Sequence, residues 1–506
     1  MSGTHWVTDP TGYLEPKIGT SGFAAQPAKT IIEVFQECIA KHADKKALYL
    51  KRPVNGVLPA TWNHIWSWQE YYDDCCKFAK TLIHLDVAAF KITNILGFNS
   101  PEWMIANNGS IFASCIAAGI YATNSPEACH YITEHSKSEV VVLDGNKQLE
   151  KYANMPKTSF PFLKALVVYA EDVLDKDIVA KCSFPVYLWT DFLSLGNNVT
   201  DAALEQRMAG IGCGNCSTLI YTSGTTGPPK AVMISHDNIT WTAKNIGDSY
   251  FDLNFKDRII SFLPMSHVAA QLFDIHVPIY LGCAVYFCQP DALKGTLTVT
   301  MREVRPTLFF SVPRVWEKIQ EKMVQMGRQT VGVKKILATW AKGLGSEHSR
   351  LNQFGNDGGA PLGYGCAHAI VLSKIKDALG LDQVKGAFTA AAPISVDTLN
   401  YFASLDIPVF EVFGQSECTG PHTVSSPGNW KIGYCGRPIP GSESIIDPIN
   451  GVLCYRGRNI FMGYMYMPDK TAETIDEDGY LHSGMWRRIS LLLLSLPLFV
   501  LLSLLL

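Results

Sequence analysis

The chain has 506 residues, 47% of them apolar and 18% charged, so it is long enough to bury one large core or several and too apolar to be disordered. Its formal net charge is −3 and neither end is a basic arm, so electrostatics give no reason to expect nucleic acid or an anionic membrane as the principal partner. Fourteen scattered cysteines, and an N-terminus without a basic region followed by an apolar stretch, predict a reducing, cytosol-facing compartment.

The N-terminal segment, residues 1–28, predicts a mobile arm, because it is rich in Gly, Pro, Ser and Thr and shows no hydrophobic period. Regular structure is expected from Thr30, where the sequence TIIE forms a capping box with Thr30 as the N-cap and Glu33 three positions later. The apolar residues that follow at helical spacing predict an amphipathic helix docked on a core.

Short apolar runs then alternate with helical patterns over residues 29–435. The runs ITNILGF and VVVLDG flank EWMIANNGSIFASCIAAG, and this strand, helix, strand order is typical of a parallel sheet. Later runs end in Gly, Pro or Ser, at the edge where open α/β sheets bind ligands. The pattern predicts an α/β fold with two subdomains divided near residue 210, followed by a small β-rich subdomain over residues 436–484.

The most informative stretch is YTSGTTGPPK, which begins at Tyr221 directly after the apolar run STLI. Its hydroxyls, its two glycines and its final lysine supply many donors for phosphate oxygens. It is not a Walker A loop, because a proline rather than a glycine precedes the lysine. The predicted phosphate-binding residues are Thr222, Ser223, Gly224, Thr225, Thr226, Gly227, Pro228, Pro229 and Lys230.

This stretch, continued as AVMISHDNI, resembles the signature of the adenylate-forming superfamily of acyl-CoA synthetases, luciferases and peptide-synthetase adenylation domains. LPMSHVAAQ, SVPRVWEKI, GAFTAAAPIS, EVFGQSECTGPHT and GYLHSG follow in the order of that family. GFNSPEW, AAGIYATNSPEACHY and GQSECTGPHT most resemble bubblegum-type long-chain acyl-CoA synthetases. The resemblance extends from about residue 30 to residue 484 and implies the large N-terminal domain of the family, with two α/β subdomains, mixed or parallel sheets and a small β-barrel-like subdomain.

The resemblance also implies a two-step reaction. ATP and a long-chain fatty acid would form acyl-adenylate and pyrophosphate, and the thiol of coenzyme A would then displace AMP. By the same resemblance the loop ending at Lys230 would hold the β- and γ-phosphates, Glu417 would bind Mg²⁺, and His267 would lie near the fatty-acid carboxylate. These three residues are therefore the predicted catalytic residues. The residues expected along the adenine and the α-phosphate are Glu411, Val412, Phe413, Gly414, Gln415 and Ser416.

Three features depart from the family pattern. The loop Ala390–Ala392, expected beside the adenine, lacks the glycine usually found there. Met485 stands where the family has an aspartate that receives the ribose hydroxyls, so weak nucleotide binding is expected. The family's C-terminal lid of roughly a hundred residues is expected to be absent, which would impair turnover. A non-catalytic chain that binds fatty acid or nucleotide is the alternative, and a third hypothesis keeps the fold but changes the acid to an aryl or amino acid.

The last segment, residues 485–506, has a separate character. Its final eighteen residues read ISLLLLSLPLFVLLSLLL. As a helix they would span about 27 Å, slightly less than a hydrocarbon core of about 30 Å. Two interpretations stay open: residues 489–506 are a membrane anchor preceded by Arg487 and Arg488 on the cytosolic side, or unrelated sequence follows Gly484. The expected location is the cytoplasm, with the cytosolic face of the endoplasmic reticulum or of another membrane as the alternative.

Overall fold

The structure is a computed structural model that describes residues 5–222, 228–250 and 252–486, with the backbone alone given for Met485 and Trp486. Twenty strands lie within these residues: β1 (Lys46–Leu50), β2 (His64–Ser67), β3 (Ile92–Leu96), β4 (Ile116–Ile120), β5 (Val140–Asp144), β6 (Ala165–Tyr169), β7 (Val186–Leu188), β8 (Cys216–Thr222), β9 (Lys230–Ser235), β10 (Arg258–Ser261), β11 (Ala284–Phe287), β12 (Leu308–Ser311), β13 (Gly386–Thr389), β14 (Val409–Gln415), β15 (Gly420–Val424), β16 (Arg437–Pro438), β17 (Glu443–Ile446), β18 (Val452–Arg456), β19 (Gly463–Tyr464) and β20 (Leu481–Trp486).

The same described ranges contain eighteen α-helices: α1 (Ile31–His42), α2 (Trp68–His84), α3 (Pro101–Phe112), α4 (Pro126–Ser136), α5 (Gly145–Leu149), α6 (Lys176–Val179), α7 (Trp189–Leu195), α8 (Asp201–Ala209), α9 (His236–Ser249), α10 (Val268–Ala270), α11 (Val277–Leu281), α12 (Leu297–Val304), α13 (Pro313–Arg328), α14 (Val333–Leu351), α15 (Tyr364–Ala367), α16 (Ser373–Leu379), α17 (Val396–Ser404) and α18 (Pro468–Thr474). A π-helical segment, Gln271–His276, joins α10 to α11.

Hydroxyl side chains cap the helices at the start of the fold. The Thr30 side chain accepts a hydrogen bond from the backbone N–H of Glu33, and the Glu33 carboxylate accepts one from the backbone of Thr30, which confirms the predicted capping box of α1. Ser67 and Glu70 repeat this arrangement at α2. The caps satisfy backbone donors that a helix cannot pair internally, so these helix starts follow directly from the sequence.

Two large mixed sheets confirm the α/β prediction. The first has the strand order β19-β9-β8-β4-β3-β5-β6-β7, and it is parallel from β8 to β7 and antiparallel at β9 and β19. The second has the order β16-β15-β14-β13-β12-β10-β11-β1-β2, and it is parallel from β14 to β1 and antiparallel at both edges. β1 and β2 join the second sheet and β19 joins the first, so each sheet contains strands from both ends of the chain, and the boundary predicted near residue 210 stays a prediction.

A third sheet, antiparallel with the order β17-β18-β20, corresponds to the predicted β-rich subdomain. Its last strand continues through Met485 to Trp486, whose backbone pairs with Val452. The sheet therefore extends two residues past the predicted end at residue 484.

The leucine-rich tail raised the question whether the chain crosses a membrane. Among the helices in the described ranges, none combines the length and the apolar composition that a bilayer span requires. The predicted anchor, residues 489–506, and its neighbours Arg487 and Arg488 lie outside those ranges. Both interpretations of the tail stay predictions.

The N-terminal segment, expected to be a mobile arm, lies against the domain from residue 5 onwards. The backbone N–H of Val7 donates to Met462 O at 2.8 Å, and that of Leu14 donates to Gly214 O at 3.0 Å. The indole N–H of Trp241 donates to Phe23 O at 2.8 Å. The segment therefore contacts both the first sheet region and the stretch that leads into β19.

A buried ion pair holds three parts of the chain together. Arg458 Nη2 lies 2.5 Å from Asp237 Oδ1, and Arg458 Nε donates to Asp237 Oδ2 at 3.1 Å, while the side chains are only 1% and 3% exposed. Arg458 Nη1 also donates to the carbonyl groups of Ala24 and Gln26. The guanidinium thus connects α9, the N-terminal segment and the chain before β19 through charge-assisted hydrogen bonds.

His422 connects the second sheet to the third. It lies on β15, its Nε2 is 2.6 Å from Ser444 Oγ on β17, and its ring stacks on Tyr455 of β18 with centroids 4.0 Å apart. Burial lowers the pKa of His422 to about 3, so the ring is neutral at neutral pH.

We expect His422 to make the fold sensitive to acid. Its folded pKa lies below the unfolded value of about 6.5, so the unfolded chain binds the proton first and stability is lost as the pH falls below about 6.5. Urea unfolding at about pH 6 and about pH 5 should show a fall in unfolding free energy that is about 1.4 kcal/mol smaller in His422→Gln than in the wild type. Equal falls in both proteins would contradict this assignment.

Candidate active site

The phosphate-binding residues predicted from the sequence belong to the hairpin of β8 and β9. Thr222 ends β8, Lys230 begins β9, and the two are paired across the antiparallel ladder. The hairpin therefore brings the first and last residues of the predicted loop side by side. Pro228 and Pro229 precede Lys230 within the described residues. The other predicted members, Ser223, Gly224, Thr225, Thr226 and Gly227, lie outside the described residues.

Tyr464 lies between the predicted phosphate lysine and the predicted metal ligand. Its hydroxyl donates to Glu417 Oε1 at 2.7 Å, and Lys230 Nζ lies 4.3 Å from the centroid of its ring. Tyr464 reaches this position because β19 pairs with β9, opposite Val232. The backbone also holds the arrangement, since Phe461 N donates to Glu417 O at 2.9 Å. Lys230 and Glu417, far apart in the sequence, are thus in contact with the same side chain.

The predicted adenine-binding stretch forms the end of β14 and the turn that follows it. Val412, Gly414 and Gln415 line a small cavity, whereas Phe413 contacts Tyr455 edge to face at 6.4 Å between ring centroids. Ser416 is buried and begins the 3₁₀ turn Ser416–Cys418, which carries Glu417. β14 is parallel to β13, so the stretch lies at the carboxyl edge of the sheet, where ligands bind in open α/β folds.

Glu411 and Gly414 shape the backbone of this stretch. The carboxylate of Glu411 accepts a hydrogen bond from Gly433 N at 2.9 Å, and burial raises its pKa. Glycine is required at position 414, because a Cβ there would lie 1.7 Å from Gly420 O. The close approach of β14 and β15 at this point therefore fixes the turn that presents Glu417.

His267 caps α10 and faces the same cavity. The backbone N–H of Ala269 donates to His267 Nδ1 at 3.2 Å, so Nδ1 carries no proton and the proton of the neutral ring is on Nε2. Burial lowers the pKa of His267, which keeps the ring neutral at neutral pH. His267 can therefore act as a hydrogen-bond donor through Nε2, as the sequence predicts.

The cavity beside His267 is narrow and mostly apolar. Its volume is about 30 Å³, and its lining includes Phe273 and Phe310, whose rings stack on each other with centroids 4.5 Å apart. Ala390 and Ala391 of the predicted adenine loop also line it. Ala391 has a φ of 74°, a left-handed conformation that costs an L-residue roughly 1–2 kcal/mol. The missing glycine noted in the sequence thus falls on a backbone position that favours glycine.

A larger cavity, of about 440 Å³, lies at the opposite edge of the same sheet, beside the first residues of β13. Three of its polar lining residues are paired with one another, since Asp406 lies 2.6 Å from Lys376 Nζ and 2.9 Å from His348 Nδ1. Parallel strands present their carboxyl ends to ligands, and this cavity lies at the amino ends. The smaller cavity, together with Lys230, Tyr464 and Glu417, is therefore the candidate active site.

The sequence predicted Lys230, His267 and Glu417 as candidate site residues but not Tyr464, which the structure adds as a candidate. Motif spacing could not find the tyrosine, because it lies in a two-residue strand of the segment assigned to the β-rich subdomain. The sequence signal that could have identified Tyr464 is its aromatic ring in GYMY, directly after GRNIFM. It was not recognised, because the whole segment has the pattern of short strands and turns. Only the long-range pairing of β19 with β9 places it at the site.

Comparison of the sequence with known proteins identifies a family. The AMP-binding enzyme family, described as "AMP-binding enzyme", matches residues 35–465. The long-chain-fatty-acid–CoA ligase ACSBG2 of Gallus gallus is 43% identical over 486 residues, which cover 95% of this chain and 62% of that protein. ACSBG2 of Homo sapiens is 39% identical over 483 residues, covering 95% of this chain and 70% of that protein. The chain therefore spans less than two thirds of the length of the chicken relative.

Solved structures share the fold. The anthranilate CoA ligase AuaEII in complex with anthranoyl-AMP superposes with a TM-score of 0.65 at 17% identity, over 92% of this chain and 79% of that one. The A domain of carboxylic acid reductase from Segniliparus rugosus, in complex with AMP and a carboxylic acid, has a TM-score of 0.65 at 20% identity, over 91% of this chain and 72% of that one. The predicted superfamily and fold are confirmed: the chain belongs to the AMP-binding enzyme family, and its relatives include the ACSBG-type long-chain-fatty-acid–CoA ligases.

Proposed function

We propose that this protein activates long-chain fatty acids with ATP, first to acyl-adenylate and then to acyl-CoA. The observation that carries the proposal is the contact of Lys230 and Glu417 with the same tyrosine, Tyr464, beside the cavity that His267 faces. This arrangement supports the proposal, because it would offer a cation to phosphate, a carboxylate to a metal ion and a hydrogen-bond donor to the carboxylate of the acid. Membership of the AMP-binding family and the names of the relatives support the choice of reaction and acid.

In the first step a fatty-acid carboxylate oxygen attacks the α-phosphorus of ATP, and pyrophosphate leaves. Such phosphoryl chemistry needs mainly positioning and neutralisation of negative charge. Lys230 would bind the β- and γ-phosphates and stabilise the charge that develops on pyrophosphate. His267 would donate from Nε2 to the fatty-acid carboxylate and hold it in line with the α-phosphorus. In the second step the thiol of coenzyme A attacks the acyl carbon and AMP leaves.

The residues present fit a magnesium ion. Glu417 is partly exposed, and of its two carboxylate oxygens the described structure gives only Oε1 a hydrogen bond, from Tyr464. No group of three or more His, Cys, Asp or Glu side chains suited to a metal occurs among the described residues. Mg²⁺ in nucleotide sites is typically bound through one or two carboxylates plus substrate phosphates, so a single carboxylate suffices. When bound, the ion would neutralise phosphate charge, and Glu417 would hold it with Tyr464 fixing the carboxylate.

The acyl chain would enter the apolar cavity that Phe273 and Phe310 help to line. A volume of about 30 Å³ holds little more than one water molecule, so side chains of the lining must move when a long chain enters. Binding of the acid is therefore coupled to a side-chain rearrangement.

Fatty-acid-dependent exchange of radiolabelled pyrophosphate into ATP measures the first step, and acyl-CoA formation measures the second. We expect exchange with palmitate and none with benzoate or with free amino acids. Exchange with an aryl or amino acid but not with palmitate would assign a different acid to the same fold. Binding of ATP without exchange on any acid would favour the non-catalytic alternative.

Tyr464→Phe tests the tyrosine contact directly. The substitution keeps the ring under Lys230 but removes the hydrogen bond to Glu417, and a bond to a charged group contributes about 1.5–3 kcal/mol. We expect the rate of ATP–pyrophosphate exchange to fall by about tenfold or more. Tyr466→Phe, two residues along and 45% exposed, is the matched control and should leave the rate unchanged. Equal rates in the two variants would remove Tyr464 from the site.

We also propose a cytosol-facing location. All fourteen cysteines are free thiols, which supports a reducing compartment. Membrane association through residues 489–506 was predicted on a segment outside the described residues.

A further inference from the structure

The second half of α13 and the first half of α14 extend beyond the hydrophobic core. The buried residues of these two helices are Pro313, Val315, Trp316, Ile319, Ala341, Gly345 and Ser349. None of residues 321–340, which lie between the two buried groups, is buried. We name residues 321–340 the helical arm.

Large apolar side chains of the helical arm face solvent. On α14, positions 333, 336, 337 and 340 follow the i, i+3, i+4, i+7 spacing and so share one face. Positions 333 and 337 continue the row of every fourth residue that packs on the domain from Ala341 onwards, so the exposed apolar face extends that row beyond the domain. The exposed fractions are 63% for Met326, 77% for Val331, 71% for Val333, 69% for Ile336, 37% for Leu337 and 40% for Trp340. Contiguous exposed apolar surface of this kind marks an interaction site.

The charge of the helical arm is entirely positive beyond its first residue. Between Glu321 and Glu347 the sequence contains five basic residues and no acidic residue. Of the five, Lys342 lies over the ring of Tyr401 at 4.6 Å from the centroid. Within the part of the chain that is described, the structure shows no ion pair for the other four, which are Lys322, Arg328, Lys334 and Lys335. Four cations without an ion pair in the described structure therefore belong to the same twenty-residue segment as the exposed apolar side chains.

We propose that the helical arm docks this protein on an anionic lipid bilayer. An amphipathic helix with Lys or Arg beside a face of Trp, Ile and Leu lies in the plane of the membrane interface, with the apolar side chains among the acyl chains and the cations at the headgroups. Each basic residue near an anionic leaflet adds to binding, and long Lys side chains reach the headgroups while their stems stay apolar.

The alternatives fit the observations less well. A second copy of the chain docked through the same surface would bring two sets of like charges together in a symmetric interface. A nucleic acid would pair with the cations but leave Ile336, Trp340 and their apolar neighbours facing water. A bilayer accommodates both the cations and the exposed apolar side chains of the helical arm. Long-chain acids also reside in bilayers. The proposed docking does not depend on the proposed reaction.

Amide hydrogen exchange of the full chain reports each segment separately, so it locates the docking surface even if residues 489–506 also bind lipid. We expect slower exchange in peptides covering residues 321–340 when vesicles of phosphatidylcholine with phosphatidylserine are added, and unchanged exchange with phosphatidylcholine alone. Unchanged exchange with both vesicles would overturn the proposal, as would equal slowing with both. Slowing that requires only a higher protein concentration, without lipid, would assign the surface to a second copy and also overturn it.

Charge variants give the strength of docking. Lys334→Glu with Lys335→Glu should lower the partition coefficient on phosphatidylserine vesicles by more than about 30-fold, because the loss of each positive charge alone contributes about fivefold and the new carboxylates add repulsion. Lys147→Glu with Lys157→Glu, two exposed lysines on the first-sheet side, makes the same change in net charge and should leave partitioning nearly unchanged. Equal losses in the two double variants would overturn the proposal, and because exposed positions are changed, folding is preserved in both.

Discussion

Replacing Glu417 with Gln should lower the rate of fatty-acid-dependent ATP–pyrophosphate exchange by about 100-fold to 1,000-fold, the range found when one preorganised charge-stabilising group is removed. Glutamine keeps the volume and can still accept the hydrogen bond of the Tyr464 hydroxyl, so the fold of the turn Ser416–Cys418 is maintained. What is lost is the negative charge that would hold Mg²⁺ against the phosphates. The rate should also lose most of its dependence on Mg²⁺ concentration.

Glu443→Gln is the matched control for this change. Glu443 lies on β17, its side chain is 60% exposed, and its ion pair with Arg456 is at the surface. Surface pairs contribute little, so exchange in this variant should equal that of the wild type. An exchange rate in Glu417→Gln within about threefold of the control would mean that Glu417 does not hold a catalytic metal.

Arg458→Met should lower the free energy of unfolding by about 3–5 kcal/mol, because it leaves the carboxylate of Asp237 buried and uncompensated. The contacts of the guanidinium with Ala24 and Gln26 are lost at the same time, so the N-terminal segment should be released as well. Urea unfolding measures the change, and proteolysis in the first thirty residues, roughly, should become faster where the released backbone is exposed.

Two comparisons make the stability prediction specific. Arg350→Met breaks an exposed pair with Glu347 and should cost less than about 1 kcal/mol. Arg458→Met combined with Asp237→Leu replaces the whole pair with apolar groups and should recover part of the lost stability. If Arg458→Met were no more destabilising than Arg350→Met, the buried pair of Arg458 and Asp237 would not hold the surrounding segments together.

Local patterns in the sequence predicted the elements well. The capping box at Thr30 and the alternation of apolar runs with helices each depend on neighbours a few residues apart, which is why they could be recognised. Which strands share a sheet could not be predicted in the same way. β1 joins the second sheet by pairing with β11, more than two hundred residues later, and no local period reports such a pairing.

The same contrast between local patterns and long-range pairing applies to the candidate site. Lys230 and Glu417 could be predicted as candidates because they belong to motifs in which several residues carry the resemblance. Tyr464 could not be predicted, because its contacts with Lys230 and Glu417 depend on where β19 pairs, and a two-residue strand leaves almost no pattern in the sequence. Ala391 shows the intermediate case, since the sequence indicated a missing glycine and the structure adds the left-handed backbone that explains why glycine is favoured.

Net charge is a poor guide to the surface of this protein. A total of −3 describes the whole chain, whereas the helical arm concentrates its cations within a few turns and has no acidic neighbour after Glu321. Electrostatic attraction to a membrane decays within a Debye length of about 10 Å, so the local distribution of charge decides it. The charge summed over short windows of the sequence shows that the helical arm is basic, whereas the net charge of all 506 residues does not.

Calorimetric titration of ATP, with and without Mg²⁺, compares the wild type with a variant that combines Lys230→Met and Glu417→Gln. If the two side chains bind one nucleotide, the wild type should bind ATP more tightly with Mg²⁺, and the double variant should bind about 100-fold to 10,000-fold more weakly with no response to Mg²⁺. Equal affinities in the two proteins, each indifferent to Mg²⁺, would show that the contact of Lys230 and Glu417 with Tyr464 is not a nucleotide site.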